Sequence, residues 1–318
     1  MKFTTLSRIT APVIAAALAM PAPYGGHNWH PMAYSPKENL VYIPAMSVPF
    51  GYKDDQAYTH QQGKWNVGID TLATALPDGD AARKAVKAMM KGHLIAWDPV
   101  AQKARWTVEL PYFWNAGVLA TAGDLVFQGS AEGEFAAYNA KDGKKVWSYK
   151  TNNGIIAAPS TYSIDGEQYI ALMVGYGGAA PLAANFALPD RPRLPGRLIV
   201  FKLGGTAKVP EQPLPEKMKI DLTGVTSKGS VTEGFALYHA NCAVCHGASV
   251  SGTYLPDLKT SPMLLSAENW KSVVIDGARQ PMGMISFKEY LTNDQAESIR
   301  AYVLSESAKA KAEAAKAK

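Results

Sequence analysis

The sequence predicts a mainly β N-terminal part, folded as a partial β-propeller, followed by a small all-α C-terminal domain. Three observations support this fold class. Residues 24–205 are rich in β-branched and aromatic residues, and Gly, Asp and Asn turn signals interrupt them at short intervals. The same part contains a strand motif that recurs along the chain. Residues 229–307 instead carry apolar residues at helical spacing.

The overall composition is that of an ordinary globular protein. The chain has 318 residues, enough for two domains, with 47% apolar and 19% charged residues. The formal net charge is +5, but much of it lies near the two ends of the chain. The remainder is close to neutral, which argues against nucleic-acid binding.

Residues 1–19 are predicted to be a secretory signal peptide. Lys2 and Arg8 form a positive region, an apolar run follows, and Ala17-Leu18-Ala19 matches a small-x-small cleavage site. A short buried helix is the alternative, and Pro12 weighs against it. The apolar run is too short to span a membrane, and no other segment is longer. We therefore expect a periplasmic protein without a membrane span.

A strand motif recurs with the length of one four-stranded propeller blade. Gly92 to Asp98 leads through a turn to Trp106, and Gly133 to Asn139 leads in the same way to Trp147. The two copies are 41 residues apart. Gly196 to Lys202 repeats the strand without the Trp. We expect each Trp ring to pack on the neighbouring blade, and the alternative is a β-sandwich that happens to carry two tryptophans.

The predicted partial propeller covers residues 20–205, with interruptions. Residues 53–91 break the strand pattern, and within them Asp80 to Met90 has helical composition, so that a helix in an inserted loop is expected. Residues 179–195 are predicted to be a Pro-rich surface loop. Residues 206–228, with several prolines and charged residues, are predicted to be a linker.

Residues 229–307 are predicted to form the helical domain. A first helix is expected over Val231 to Asn241, and a second over Ala267 to Ile275. Thr292-Asn293-Asp294-Gln295 is spaced as a capping box that starts a last helix. Four residues of that helix share one apolar face: Ala296, Ile299, Tyr302 and Val303. Residues 308–318, rich in Lys and Ala, are predicted to be a disordered tail.

Cys242-Ala243-Val244-Cys245-His246 is the most informative motif of the chain. In the pattern Cys-x-x-Cys-His, the two thiols add to the vinyl groups of a c-type haem and the histidine supplies one axial nitrogen. A zinc site would need two further ligands, and the chain has no other cysteine. A redox dithiol does not call for the histidine. The motif therefore predicts covalent haem c at Cys242 and Cys245, with His246 as an iron ligand.

A haem of this type normally takes its second axial ligand from a downstream loop, and a methionine is expected here. A thioether ligand raises the haem potential relative to histidine. The candidates are Met263, Met282 and Met284. Met284 is favoured because the sequence from Gly283 matches the Gly-Met-x-x-Phe loop of many short c-type cytochromes. The alternative for each is a methionine that only fills a gap in the core. The carbonyl of Pro256 is placed to accept a hydrogen bond from the axial histidine, or Pro256 is a simple turn residue.

Several longer segments resemble the periplasmic quinohaemoprotein alcohol dehydrogenases, which use pyrroloquinoline quinone (PQQ). The matching segments are Gly25 to Met32, Leu40 to Ala45, Gly117 to Phe127 and Gly166 to Ile170. The resemblance runs from about Pro23 to Val303 and is to the C-terminal part of these enzymes. It implies a quinoprotein alcohol dehydrogenase-like propeller followed by a cytochrome c domain.

The same resemblance implies a set of residues on the PQQ side. Asn28 and Trp29 would touch the quinone, the amide by a hydrogen bond and the indole near its edge. Backbone around Asn115, Gly117 and Val118 would line the same pocket. From the residue types alone, the Trp would be a packing residue and the Gly-Val strand would be core. A metal pair formed by the two histidines flanking this Asn-Trp pair is a weaker alternative.

Much of the family's active site has no counterpart in this sequence. The resemblance calls for an Asp general base, calcium ligands, a cation over the quinone and two adjacent cysteines, whereas both cysteines here are committed to haem. We therefore expect PQQ and calcium only if a partner chain supplies the N-terminal blades. The resemblance implies the haem c electron-transfer portion of a PQQ-dependent alcohol dehydrogenase, with an external cytochrome or azurin as acceptor. The alternative is an electron-transfer cytochrome without dehydrogenase activity, either a docking half-propeller or a truncated gene product.

Overall fold

The computed structural model describes residues 17–60, 66–70, 80–177, 194–213, 220–250 and 255–316. The strands are β1 (Ala17–Ala19), β2 (Ala33–Ser35), β3 (Leu40–Ser47), β4 (Phe50–Tyr52), β5 (Lys91–Asp98), β6 (Lys103–Leu110), β7 (Val118–Thr121), β8 (Leu125–Gly129), β9 (Glu134–Asn139), β10 (Lys145–Lys150), β11 (Ser160–Ile164), β12 (Glu167–Val174) and β13 (Arg197–Lys202). The α-helices are α1 (Asp80–Met89), α2 (Val231–Asn241), α3 (Ala243–His246), α4 (Ala267–Val274) and α5 (Asn293–Lys316). Short 3₁₀ turns cover Leu258–Thr260, Pro262–Leu265 and Gln280–Met282.

The strands form three successive antiparallel sheets. The first sheet has the order β2-β3-β5-β6, the second β10-β9-β8-β7, and the third β11-β12-β13. A separate pair joins β1 to β4. Neighbouring strands of a sheet follow one another in sequence, apart from the insertion of β4 and α1 between β3 and β5. This up-and-down order is the arrangement that the repeated strand motif predicts.

The sheets are held face to face by side chains that alternate along each strand. On β3, every second residue is buried while the intervening residues are half-buried. One buried cluster joins the first sheet to the second: Leu40, Tyr42, Leu94, Ala96, Val118, Val126, Ala136, Tyr138 and Ala140. Another joins the second sheet to the third: Ala116, Phe127, Phe135, Ala137, Ile155, Leu172 and Val174. The second sheet is therefore covered on both faces.

The repeated tryptophans occupy equivalent places, as the sequence predicts. Trp106 lies on β6, and its indole Nε1 donates a hydrogen bond of 3.0 Å to the carbonyl of Ala140 in the second sheet. A Cβ on Gly143 would lie only 2.7 Å from this indole, so the turn after β9 needs glycine there. Trp147 lies on β10, with its ring 5.6 Å from Phe201 of the third sheet. Each ring thus packs on the following sheet, and this prediction is confirmed.

The C-terminal part is helical, with α2 packed across α5. A Cβ on Gly234 would lie 1.8 Å from the carbonyl oxygen of Ser298, so only glycine allows this close crossing. The capping box is confirmed: the Thr292 amide donates to the Gln295 side chain, and the Gln295 amide donates to the Thr292 hydroxyl. The four residues of the predicted apolar face of α5 are buried: Ala296, Ile299, Tyr302 and Val303. The second predicted helix is also confirmed, with Trp270 facing the core.

One prediction is wrong and several fall partly outside the described residues. The tail predicted to be disordered over 308–318 is helical as far as Lys316, because Ala, Lys and Glu have high helix propensity even when exposed. The helix expected from Asp80 is present as α1. Of the predicted signal peptide, only Ala17–Ala19 are described, as the exposed strand β1. Most of the loop predicted over 179–195 lies outside the described residues.

Candidate functional site

The Cys-x-x-Cys-His motif lies on a single helical turn, α3, directly after α2. Backbone amides of Cys245 and His246 both donate to the Cys242 carbonyl, at 3.1 and 2.8 Å. The Tyr238 hydroxyl donates to the carbonyl of Gly247 at 2.6 Å and so anchors the end of the turn. The two thiols differ in environment, since Cys242 is buried and Cys245 is exposed.

Burial shifts the pKa values of the Cys242 thiol and the His246 imidazole. It raises the pKa of the Cys242 thiol to about 12, with a smaller contribution from Cys245. A thiol that stays protonated is a poor redox dithiol, because the thiolate is the reactive form. Burial also lowers the pKa of His246, and the Pro256 backbone opposes that shift. A neutral imidazole is the form that binds a metal ion.

The Nδ1 atom of His246, the ring nitrogen not expected to bind the iron, lies in an unusual environment. It is buried and makes no hydrogen bond of normal geometry within the described residues. The Pro256 backbone partly offsets the lowering of the His246 pKa by burial, which agrees with its predicted role as the partner that orients this ring.

An apolar cluster surrounds the motif, and we call it the haem-motif cluster. Its buried members are Tyr238, Cys242, Val250, Leu264, Trp270, Val274, Ile275, Phe287, Leu291, Ala296, Ile299, Tyr302 and Val303. Met263 and Met284 pack against it, whereas Met282 is 73% exposed and lies 3.3 Å from an Arg279 nitrogen. Gly283 has a φ of 91°, which turns the chain between the last two methionines. The structure thus separates Met282 from the other two candidates.

The residues present fit a covalently bound haem. Two thiols on one turn, a neutral buried imidazole with one nitrogen unbonded, and a thioether next to the same apolar cluster are the donors such a group requires. Zinc fits less well, since no cluster of three or more His, Cys, Asp or Glu residues occurs within the described ranges.

The structure brings the PQQ-side residues together from two distant segments. The Val118 amide donates to the Pro31 carbonyl at 3.0 Å, and a Cβ on Gly117 would lie 2.5 Å from the Pro31 ring. Asn28 is exposed, but its side-chain amide donates to the Tyr24 carbonyl at 2.7 Å and accepts from the Trp29 amide at 2.8 Å, while the Trp29 side chain is 51% exposed.

Asn115 and Val118 also have structural roles. The Asn115 amide donates to the Tyr112 carbonyl at 2.5 Å and accepts from the Ala131 amide at 3.0 Å. Val118 is buried between the first and second sheets. The described residues contain no group of three or more His, Cys, Asp or Glu residues that could hold a metal ion.

Sequence reasoning missed a buried polar cluster beside the PQQ-side residues. His30, Trp114 and Gln128 are each 2–3% exposed. Four atoms of this cluster are buried without a hydrogen-bond partner among the described residues: both His30 ring nitrogens, the Trp114 indole nitrogen and the Gln128 side-chain oxygen. The Trp29 and His30 rings stack at 4.5 Å, and His30 meets Trp114 at 5.1 Å.

The histidines of this region do not form the metal pair considered as an alternative. His27 Nδ1 lies 2.8 Å from the carbonyl of Pro44, and its ring is used there. Burial, followed by the nearby His27, lowers the pKa of His30 to about 4. The only sequence signal for the buried cluster was a histidine next to a tryptophan, which does not reveal a contact with residues more than 80 positions away.

Comparisons with known proteins match the two parts separately. The family model described as glucose/ethanol/alcohol dehydrogenase, beta-propeller domain matches residues 93–170. The model described as cytochrome C oxidase, cbb3-type, subunit III matches residues 229–303. The fold and these matches define a partial propeller-like β part joined to a part that carries a cytochrome motif.

Relatives of known name extend this result over nearly the whole chain. Quinohemoprotein alcohol dehydrogenase ADH IIB of Pseudomonas putida is 41% identical over 90% of this chain and 41% of its own length. The dehydrogenase subunit of alcohol dehydrogenase (quinone) of Acetobacter aceti is 38% identical over 90% of this chain and 39% of its own length. Among solved structures, ADHIIG of Pseudomonas putida HK5 has a TM-score of 0.80 and 34% identity, over 94% of this chain and 44% of that chain. The Comamonas testosteroni enzyme has a TM-score of 0.72 and 37% identity, over 93% and 43%.

The chain is therefore homologous to part of the quinohaemoprotein alcohol dehydrogenases, as the sequence resemblance indicated. It spans about two fifths of the length of these curated relatives. Within the described residues, no helix combines the length and apolar character needed to cross a membrane.

Proposed function

We propose that this chain is the haem c electron-transfer portion of a PQQ-dependent alcohol dehydrogenase. In this role it carries electrons from reduced PQQ, through a covalent haem on Cys242 and Cys245, to an external cytochrome or azurin. The observation that carries the proposal is the Cys-x-x-Cys-His turn set against an apolar cluster that also holds Met284. Homology to quinohaemoprotein enzymes supports the same role.

The proposed organisation follows from this role. Residues 1–19 are a signal peptide that directs the chain to the periplasm, and residues 20–205 are a partial propeller. Residues 206–228 are a linker, and residues 229–307 are the cytochrome c domain. Export supports the haem proposal, since c-type attachment takes place outside the bacterial cytoplasm.

Each residue of the haem site has a distinct task. Cys242 and Cys245 would hold the porphyrin by thioether bonds, and His246 and Met284 would be the iron ligands. Tyr238 fixes the end of the motif turn through its bond to a backbone carbonyl. The bound haem supplies one-electron oxidation and reduction.

A mass measurement tests covalent haem attachment. The chain is secreted from a host competent in cytochrome maturation, and its mass is compared with that of the double variant Cys242→Ala, Cys245→Ala. We expect the wild-type chain to be coloured and heavier than its polypeptide by one haem, and the variant to be colourless. A colourless wild-type chain with the bare polypeptide mass would refute the proposal.

The dehydrogenase chemistry is proposed to need a partner chain that carries the remaining blades. The PQQ-side surface at Asn28, Trp29 and Gly117 forms one wall only, and the described residues contain no calcium-binding cluster. We expect the haem-loaded chain, with added PQQ and calcium, to show no alcohol-dependent dye reduction. Robust turnover by the chain alone would contradict this division of labour.

The second candidate is an electron-transfer cytochrome without dehydrogenase activity, in which the β part only docks a partner. The exposed apolar side chains of β13, Leu198 at 62% and Val200 at 44%, favour it because they offer a docking surface. Adding the part of ADH IIB that this chain does not match distinguishes the two. Alcohol-dependent reduction of the haem in that mixture supports the first candidate, and binding without reduction supports the second.

A further inference from the structure

The loop that carries Trp29 is tied to β3, while the Trp29 side chain itself stays half outside the protein. The Met46 amide of β3 donates to the Gly26 carbonyl at 2.8 Å. Within the loop, the Asn28 side-chain oxygen accepts from the Trp29 amide at 2.8 Å. These bonds hold the backbone of Trp29, but the side chain is 51% exposed and must be oriented by its neighbours.

The imidazole of His30 supports the exposed indole from the protein side. The His30 and Trp29 rings are 4.5 Å apart with an interplanar angle of 17°, which is a stacked arrangement. Trp114 lies farther from the same indole, at 6.5 Å and 55°. Because His30 is 2% exposed, its ring covers the inner face of the indole and leaves the outer face to solvent.

The imidazole is itself held by aromatic rings behind it. Trp114, which is buried, meets His30 edge-on at 5.1 Å and 70°. Tyr24 and Phe113 meet Trp114 at 5.7 and 6.0 Å, and both are nearly perpendicular to it. Edge-to-face pairs at these distances are favourable and favour particular ring orientations. The stack on Trp29 therefore has a well-packed base.

Histidine is a costly residue for this position if it only fills space. Both His30 ring nitrogens are buried without a hydrogen-bond partner among the described residues, and an aliphatic side chain of similar volume would avoid that cost. An aliphatic side chain would not, however, present a flat ring to an indole. The flat ring is thus the property of His30 that matters to its neighbour Trp29.

We propose that His30 is a positioning residue that holds the Trp29 indole in the orientation required on the quinone side of the β part. The inference rests on the proposed function, because the resemblance to PQQ enzymes is what assigns Trp29 to the quinone. A side chain that is already ordered loses less conformational entropy when a ligand binds, so a fixed indole gives a higher quinone affinity than a mobile one. His30 is buried beneath the indole and acts through it.

The mobility of the Trp29 indole, measured on the full chain by nitrogen-15 relaxation of its N–H group, tests the positioning role. Trp29→Phe assigns the signal among those of the seven tryptophans. We expect an order parameter of about 0.85 in the wild type and below about 0.6 in His30→Leu. His30→Phe, which keeps a flat ring, should restore the high value. An order parameter that His30→Leu leaves unchanged would overturn the proposal.

Two further variants separate loss of the stack from general loosening of the fold. His30→Gln also removes the flat ring and should lower the order parameter as His30→Leu does, so the test stands if either variant folds. His93→Leu makes the same change at a half-buried histidine of β5, whose ring lies 3.1 Å from the Ser47 hydroxyl. It should leave the Trp29 indole as rigid as in the wild type. An equal loss of order in His93→Leu would contradict a specific role for His30.

Quinone affinity tests the consequence of positioning. The full chain is mixed with calcium, PQQ and the part of ADH IIB of Pseudomonas putida that it does not match, and the Kd of PQQ is measured by titration. We expect His30→Leu to raise the Kd by about tenfold, the effect of losing one aromatic pair, and His30→Phe to stay within about twofold of the wild type. Equal affinity in the wild-type and His30→Leu mixtures would refute the inference alone. A wild-type mixture that binds no PQQ would instead refute the proposed function, and this inference with it.

Discussion

The buried His30 makes the stability of the β part depend on pH. The side chain is 2% exposed, neither ring nitrogen has a hydrogen-bond partner in the part of the chain that the structure describes, and burial lowers its pKa to about 4. The imidazolium is thus strongly disfavoured in the folded state. The perturbation that tests this is His30→Leu, which keeps an apolar side chain of similar volume and removes the titrating group.

The sign and size follow from the two pKa values. In the unfolded chain His30 has its ordinary pKa of 6.5, so between pH 6.5 and 4 the unfolded state binds more protons than the folded state. The free energy of unfolding therefore falls as the pH falls through this interval. At about 1.4 kcal/mol per pH unit, the full loss amounts to about 3 kcal/mol.

The assay is urea unfolding followed by tryptophan fluorescence at pH values between about 4 and 7. Only Trp270 of the seven tryptophans lies in the helical part, so the signal reports mainly the β part. We expect His30→Leu to flatten the dependence of unfolding free energy on pH by about 3 kcal/mol across the range. At neutral pH the substitution changes the free energy of unfolding in two opposing ways. It removes two buried nitrogens without partners, which stabilises the fold, and it removes the ring stacked on Trp29, which destabilises it. The quantity compared is therefore the slope of unfolding free energy against pH.

A histidine on the surface provides the control. His60→Ala removes an exposed histidine from the same part of the chain, and its pH slope is the reference with which that of His30→Leu is compared. If His30→Leu has the same slope as the wild type, the imidazole is not kept neutral by burial. The reasoning from the unpaired ring nitrogens would then be refuted.

Three further predictions concern the helical part. Met284→Ala should abolish the sulfur-to-iron charge-transfer absorption of the oxidised haem protein, whereas Met282→Ala should retain it because Met282 is largely exposed. Arg300→Leu should lower the free energy of unfolding by about 3 kcal/mol in denaturant titrations, since it leaves the Glu297 carboxylate without its mostly buried partner. Gly234→Ala should lower the thermal midpoint of the helical part, because the added methyl group would lie 1.8 Å from a carbonyl of α5, and an unchanged midpoint would argue against the tight crossing.

The predictions that succeeded depended on local sequence. The capping box at Thr292 needs only residues within one turn, and the apolar spacing of α5 needs only residues on one helix. The repeat that contains Trp106 and Trp147 is likewise recognised from a fixed spacing in the sequence. In each case the physical cause acts over a short stretch of chain, so the pattern is readable without the fold.

The features that sequence reasoning missed depend on distant contacts. His30 meets Trp114 because Val118 docks on Pro31, and neither segment alone signals that contact. Met284 is not such a case, because the local pattern that begins at Gly283 already favoured it over Met282, and the structure shows the Met282 side chain exposed and the Met284 side chain packed. The helical tail is a different case. The sequence predicts disorder there from its exposed Lys- and Ala-rich composition, but the high helix propensity of Ala, Lys and Glu extends the helix.

The helical part and the β part differ in how many of the residues needed for their proposed roles they contain. The helical part carries two thiols, an imidazole and a thioether around one apolar cluster, which is a full set of protein donors for a covalent haem. The β part has an open edge at β13 and, as far as it is described, no cluster of calcium ligands. This asymmetry is the basis of the proposed division of labour, in which this chain would accept electrons on its haem and a partner would supply the substrate chemistry.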